Sequence, residues 1–155
     1  MSTLYLMCGI PGSGKTTYIK NNLDNNSVHI SRDEIRFSML DEKDNYFAKE
    51  KLVFRKWIEK IQFFLDKGYN VYADATHINK NSRNKTLSNL DLNNHEVKAI
   101  CVLTDLDTCI ERNLLRKGRE CVPTDVIKNM FSNFTIPYLT ESVNHYKSII
   151  MVKGD

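Results

Sequence analysis

Residues 9–16 read GIPGSGKT and follow the apolar run Leu4–Cys8, LYLMC. A short, nearly continuous apolar run ending at a glycine is the pattern of a strand buried on both faces. From Gly14 the composition turns helical, to about Asn22. Strand, glycine-rich turn and helix in that order form the G-x-x-x-x-G-K-[ST] pattern in its required context. Each position has a physical reason. Gly9, Gly12 and Gly14 let backbone N–H groups turn inward as an anion-binding nest without Cβ clashes. Pro11 and Ser13 shape the same turn. The helix that follows points its positive end at whatever anion sits there. In such a loop Lys15 bridges the β- and γ-phosphates of ATP, and the hydroxyl of Thr16, followed by Thr17, ligates Mg²⁺.

Outward from this loop, strands alternate with helices. Ser27–Ile30 is a second strand, and Ser31 with Glu34 has the form of a capping box for a helix from Arg32 to about Leu40. The longest helix is predicted from Tyr46 to Lys67, with Phe47, Lys51, Phe54, Ile58, Ile61 and Leu65 at three- and four-residue spacing and Gly68 as the stop. NVYADA is a third strand, residues 79–92 a polar helix, VKAICVL a fourth strand and Leu106–Leu115 a helix. Pro123 opens a helix to about Phe134, a short helix is expected near Tyr138–Tyr146, and SIIMV is a fifth strand. This alternation predicts an α/β fold, a parallel five-stranded sheet covered by helices on both faces. No repeat or linker divides residues 1–155, so they read as one domain with a lid at about 112–135.

The bulk composition sets the remaining bounds. Apolar residues are 41% and charged residues 26% of the chain, near globular averages. No segment approaches the roughly 20 apolar residues that span a bilayer, and no charged region precedes the first apolar run, so the expectation is a soluble cytoplasmic protein. Cys8, Cys101, Cys109 and Cys121 form no C-x-x-C pair and read as reduced thiols. A net charge of +3 permits a polyanionic partner without demanding one.

Three further stretches carry chemistry. In HISRDEIR, residues 29–36, Asp33 and Arg36 share one face at the start of a helix and stand at the carboxyl end of the second strand. A carboxylate there can accept the proton of an attacking hydroxyl, and a guanidinium can grip a phosphate. First-turn dipole chemistry accounts for the same residues without a ligand. In VYADATHINKNSR, residues 71–83, Asp74 ends a buried strand where an acid would orient Mg²⁺ or its waters. Asp74 and Thr76 can instead cap the next helix, and His77 reads as a loop hydrogen-bonder. Arg112, Arg116, Lys117 and Arg119 cluster around Gly118, the composition of a basic lid that closes over ATP.

Taken together, GIPGSGKT, SRDEIR, ADATHIN with Arg83, and RN…RKG…VPTDVI resemble, in order and over nearly all of the chain, the kinase domain of the phage-type polynucleotide 5′-kinase family. The resemblance implies an adenylate-kinase-like P-loop fold and transfer of the ATP γ-phosphoryl group to the 5′-hydroxyl of DNA or RNA. It implies Lys15 and Thr16 at ATP and Mg²⁺, Asp33 as general base and Arg36 at the acceptor phosphate. The spacing between Arg112-Asn113 and Val122-Pro123 is one residue longer than the family pattern, so Arg116, Lys117 and Arg119 compete for the essential lid position, with Arg116 favoured; Arg112 and Arg119 are placed at ATP. No DxDGT phosphatase motif is present, which predicts a kinase-only protein. Two other readings stay open: a P-loop kinase acting on a small-molecule hydroxyl, and a non-catalytic ATP-binding module.

Overall fold

The computed structural model describes residues 1–154. Five strands, β1 (Ser2–Cys8), β2 (Ser27–Ser31), β3 (Asn70–Asp74), β4 (His95–Leu103) and β5 (Ser148–Lys153), form one sheet in the order β2-β3-β1-β4-β5. Every pairing is parallel, with Leu4 opposite both Val71 and Val97 and Cys8 opposite Cys101. Six helices cover it: α1 (Lys15–Asn22), α2 (Arg32–Met39), α3 (Glu50–Asp66), α4 (Lys80–Ser88), α5 (Leu106–Leu114) and α6 (Thr124–Asn133). The architecture is the three-layer α/β arrangement that the alternating pattern predicts.

Burial explains why β1 lies at the centre. Leu4, Leu6, Met7 and Cys8 are fully buried because both faces of β1 are covered. On one face, Leu4 and Leu6 join Ile30, Trp57, Ile61, Leu65, Val71 and Leu87; on the other, Met7 packs with Ile19, Tyr72, Ile100 and Val102. A third cluster of Ile10, Cys109 and Ile127 sits beneath the α5–α6 region. Since β1 is flanked by β3 on one side and β4 on the other, the chain reverses its direction of travel across the sheet at the carboxyl end of β1. In open α/β sheets this is where ligands bind.

The predicted elements need four adjustments. α3 starts at Glu50, not Tyr46, and its buried stripe is Val53, Trp57, Ile61 and Leu65. Phe47 lies before the helix and is exposed, Lys51 is exposed, and Phe54 and Ile58 only flank the core. Trp57 fixes the register: its Nε1–H donates to Ile30 O at 3.0 Å, locking α3 against β2. α4 spans only Lys80–Ser88, N-capped by Asn79 in a reciprocal capping box with Ser82, and Leu90 and Leu92 enter the core beyond its end. At Ser31 only one half of a capping box forms, the hydroxyl accepting from Glu34 N.

Residues 138–146 form turns rather than a helix. The cause is Glu141, which is drawn inward to the buried Arg83: Nε to Oε1 is 2.7 Å and Nη2 to Oε2 is 3.1 Å. Arg83 Nη1 also donates to His77 O and Thr135 O, and Tyr146 OH donates to Glu141 Oε1 at 2.8 Å. Among the described residues no helix is long and apolar enough to cross a membrane. All four cysteines are free thiols, and Cys8, Cys101 and Cys109 are buried.

Candidate functional site

The β1–α1 loop has the conformation that its glycines permit. Gly12 has φ 83° and Gly14 φ 105°, both in the left-handed region. A Cβ on Gly12 would stand 2.5 Å from Cys109 O, so steric closeness and backbone conformation both require glycine there. Gly9 N donates to Thr76 O at 2.9 Å, tying the loop to the end of β3. Pro11 and Ser13 are buried, and Ser13 Oγ has no partner, while Thr16 and Thr17 are exposed at the start of α1. Lys15 Nζ donates back to Gly9 O at 2.8 Å and Ile10 O at 3.3 Å. Desolvation holds its pKa below the usual lysine value; the carboxylates of Asp74 and Asp33 oppose that shift, and Arg116 adds to it. The same four side chains thus share one electrostatic neighbourhood.

A cavity of about 470 Å³ opens from this loop, lined by Gly12, Gly14, Lys15, Thr16, Thr17, Tyr18, Asn21, Val102, Arg112, Arg116, Val152, Lys153 and Gly154. Arg112 and Arg116 therefore stand beside the loop. Arg112 Nη1 donates to Gly12 O at 3.1 Å and Gly154 O at 2.5 Å. Gly154, just after β5, packs directly on the loop: a Cβ there would overlap Ser13 O and Thr104 Oγ1. Thr104 Oγ1 itself donates to Ser13 O at 2.7 Å. Asn113 near the end of α5 clips the segment that leads into α6: its Nδ2 donates to Val122 O at 2.6 Å and its Oδ1 accepts from Val122 N at 2.9 Å.

Across the cleft, Asp33 and Arg36 lie on α2 as predicted, inside a wider network. Asp33 accepts from Arg36 Nη1 and from Tyr46 OH, the latter at 2.5 Å, yet its side chain remains 52% exposed. Arg36 is buried and spends its donors on protein: Nε and Nη2 on Glu50, Nη1 on Asp33 and Tyr46. Its guanidinium also lies over the Tyr46 ring at 4.2 Å. Glu50 carries a second cation, Arg32. Burial, with Asp33 beside it, pushes the Tyr46 hydroxyl pKa well above the usual phenol value, so Tyr46 stays a proton donor.

Asp74 is nearly buried at the end of β3, where its Oδ2 meets His29 Nε2 of the neighbouring strand at 2.8 Å. Among the described residues no three His, Cys, Asp or Glu side chains cluster as a metal cage. The residues present fit Mg²⁺, which is held by one or two protein oxygens together with waters and substrate phosphates. Thr16 and Asp74 would hold it, and the ion would neutralise charge on the phosphates.

His77 is structural, the hydrogen-bonder expected. Nδ1 donates to Met7 O at 2.7 Å, Nε2 accepts from Thr86 Oγ1 at 2.9 Å, and burial pushes its pKa down to about 4. Arg119 is not brought to the phosphate loop; its Nη1 donates to Asp41 O and Asp44 O on the α2–α3 loop. Sequence reasoning missed Tyr46, Glu50, His29, Asn113, Thr104 and Gly154. For Gly154 a signal existed, a glycine closing an apolar strand; Tyr46 and Glu50 were hidden inside an overlong helix.

A strand–loop–helix anion nest with an invading lysine, a lid and a facing carboxylate define this chain as a protein of the P-loop kinase fold. A family model described as an AAA domain matches residues 4–137, and the chain belongs to that family. Among solved structures it is similar to a chain of the Pnkp1/Rnl/Hen1 RNA repair complex, at 19% identity and TM-score 0.69, over 85% of this chain and 43% of that one. It also resembles a sugar kinase from Janibacter sp., at 15% identity and TM-score 0.58, covering 99% and 85% of the two chains. Chaetomium thermophilum Kti12, solved with ADP-AlF3, is similar at 15% identity and TM-score 0.63, covering 98% and 89%. At these identities the likeness is one of fold. The chain spans about two fifths of the repair-complex chains it matches.

Proposed function

We propose that this protein is an ATP-dependent kinase that phosphorylates the 5′-hydroxyl of a polynucleotide, DNA or RNA. The observation that carries the reading is the position of Asp33. It is a half-exposed carboxylate whose charge acts on Lys15, held by Tyr46 and Arg36 through Oδ1, with Oδ2 making no hydrogen bond among the described residues. A carboxylate so placed orients a hydroxyl toward the terminal phosphate and takes its proton. Phosphoryl transfer asks for positioning and charge neutralisation rather than covalent participation. Lys15 and the backbone nest would hold the β- and γ-phosphates, and Arg116 would neutralise the transferring group from the cavity wall. The fold likeness to a chain of an RNA repair complex is consistent with a nucleic-acid acceptor.

One observation favours a small-molecule acceptor instead. The donors of Arg36 are spent on Asp33, Tyr46 and Glu50, which leaves none for an acceptor phosphate. Incubation with γ-labelled ATP, Mg²⁺ and a panel of 5′-hydroxyl DNA, RNA, mononucleotides, nucleosides and sugars separates the two. Labelled oligonucleotide, with acceptor affinity that falls as salt rises, supports the proposal. Label confined to nucleosides or sugars with a flat salt response refutes it, and no transfer to any hydroxyl leaves a binding module.

A further inference from the structure

Arg116 and Arg119 lie three residues apart in the lid yet reach opposite halves of the cleft. Arg116 lines the cavity at the phosphate loop, whereas Arg119 Nη1 donates to Asp41 O at 2.9 Å and Asp44 O at 3.0 Å. Between them Gly118 takes φ 61° and opens a 3-10 turn, Gly118–Glu120, which redirects the chain. The segment that Arg119 grips, residues 41–49, carries Tyr46, and Tyr46 OH donates to Asp33 Oδ1.

Polar bonds and the Tyr46 ring, edge-on to Phe37 at 6.0 Å and under Arg36, hold this segment. Asp41 N donates to Asp44 Oδ2 at 2.9 Å, Asp44 N to Asp41 O at 3.0 Å, and Lys49 Nζ to Met39 O at 2.8 Å. Lys49 also lies 3.5 Å from Asp44 and 3.7 Å from Asp41. Phe47, its largest apolar side chain, is 65% exposed. A segment whose one inward-packed side chain is the half-buried Tyr46 has low local stability, so two added hydrogen bonds from a cation matter to where it sits.

We propose that Arg119 is a positioning residue: it docks the lid on the 41–49 loop and thereby sets Tyr46 against Asp33. The role of Asp33 rests on the kinase reading above; the docking does not. With Arg119 on the Asp41 and Asp44 carbonyls, the lid firms the loop that orients the acceptor base. Arg119 acts on the acceptor half through Tyr46 and touches neither substrate.

Two measurements test this on the full chain, with melting curves to verify folding of each variant. In hydrogen exchange with a non-hydrolysable ATP analogue bound, Arg119→Ala should speed exchange of amides in 41–49 by about tenfold, the scale of one or two lost hydrogen bonds, and leave residues 9–17 unchanged. Arg119→Lys, which keeps one donor on a flexible stem, should fall between. Exchange in 41–49 that stays within twofold of wild type overturns the docking. In phosphotransfer to a 5′-hydroxyl oligonucleotide, Arg119→Ala should raise the acceptor KM about fivefold or more at unchanged ATP KM, by the same hydrogen-bond scale. In a Tyr46→Phe background the same substitution should add less than twofold; full additivity overturns the coupling through Tyr46. If the wild type labels no polynucleotide, the polynucleotide reading fails, while the exchange measurement still decides the docking.

Discussion

Glu141 offers the sharpest test of what holds the site in place. Its carboxylate is buried against Arg83 with hydrogen bonds of 2.7 and 3.1 Å, and it accepts a third from Tyr146. Arg83 in turn holds the His77 and Thr135 carbonyls, and the His77 ring holds Met7 O, so the pair buttresses the strand ends directly under the phosphate loop. Glu141→Gln keeps the shape but puts an NH₂ group against a guanidinium donor and leaves the Arg83 charge buried and unpaired. Removing one partner of a buried pair costs about 3–5 kcal/mol, a large share of the roughly 5–15 kcal/mol that holds a domain. With a urea dependence of about 2 kcal/mol per molar, the midpoint should fall by roughly 1.5–2.5 M. Trp57, the sole tryptophan and fully buried, reports the transition by fluorescence. Replacing both partners, Arg83→Met with Glu141→Met, should recover part of the loss, though the Thr135 and His77 carbonyls are then orphaned. A shift below 0.5 M for Glu141→Gln, or strict additivity in the double variant, refutes the reasoning.

Asp33→Ala should lower kcat by roughly a hundredfold, the scale of a positioned base, with ATP affinity within twofold by equilibrium binding; near-normal turnover removes Asp33 from the mechanism. Gly154→Ala drives a Cβ into Ser13 O and Thr104 Oγ1, so nucleotide affinity should fall at least tenfold in calorimetric titration, and unchanged affinity would show that this contact is dispensable. His77 has a folded pKa near 4 against an ordinary value of 6.5. A base depressed on folding gives stability that is complete above the unfolded value and lost as pH falls toward the folded one. Between pH 6.5 and 4 it should therefore cost about 1.4 kcal/mol per unit, about 3 in all. His77→Asn, tolerant of the φ of 43° at this position, should flatten the pH dependence of the urea midpoint by about that amount. An identical slope in the variant would mean that His77 is not buried neutral.

The strands, the helices and the phosphate loop were legible because their causes are local. The apolar run Leu4–Cys8, the glycines at 12 and 14 with positive φ, and the cap at Ser31 each act within a few residues. The α3 register was misread for a local reason too. Phe47 extended the pattern by one turn too many, and Trp57, on the other stripe, was the residue that packed. The partners of Arg119 on the 41–49 loop were not legible, because charge near a glycine announces a lid but not its direction.

By itself the sequence determined the parallel α/β order, an anion-binding loop at the end of the first strand, and the side-by-side placement of Asp33 and Arg36 on one helix. Only the tertiary structure decided that Arg36 is turned toward Glu50, that Glu141 reaches Arg83 across 58 residues, that Thr104 braces Ser13 across 91, and that Arg119 holds a loop 78 residues behind it. The division is physical. Backbone conformation and capping are settled by neighbours along the chain, whereas a side-chain partner across the cleft is selected by which loops the strand order sets side by side.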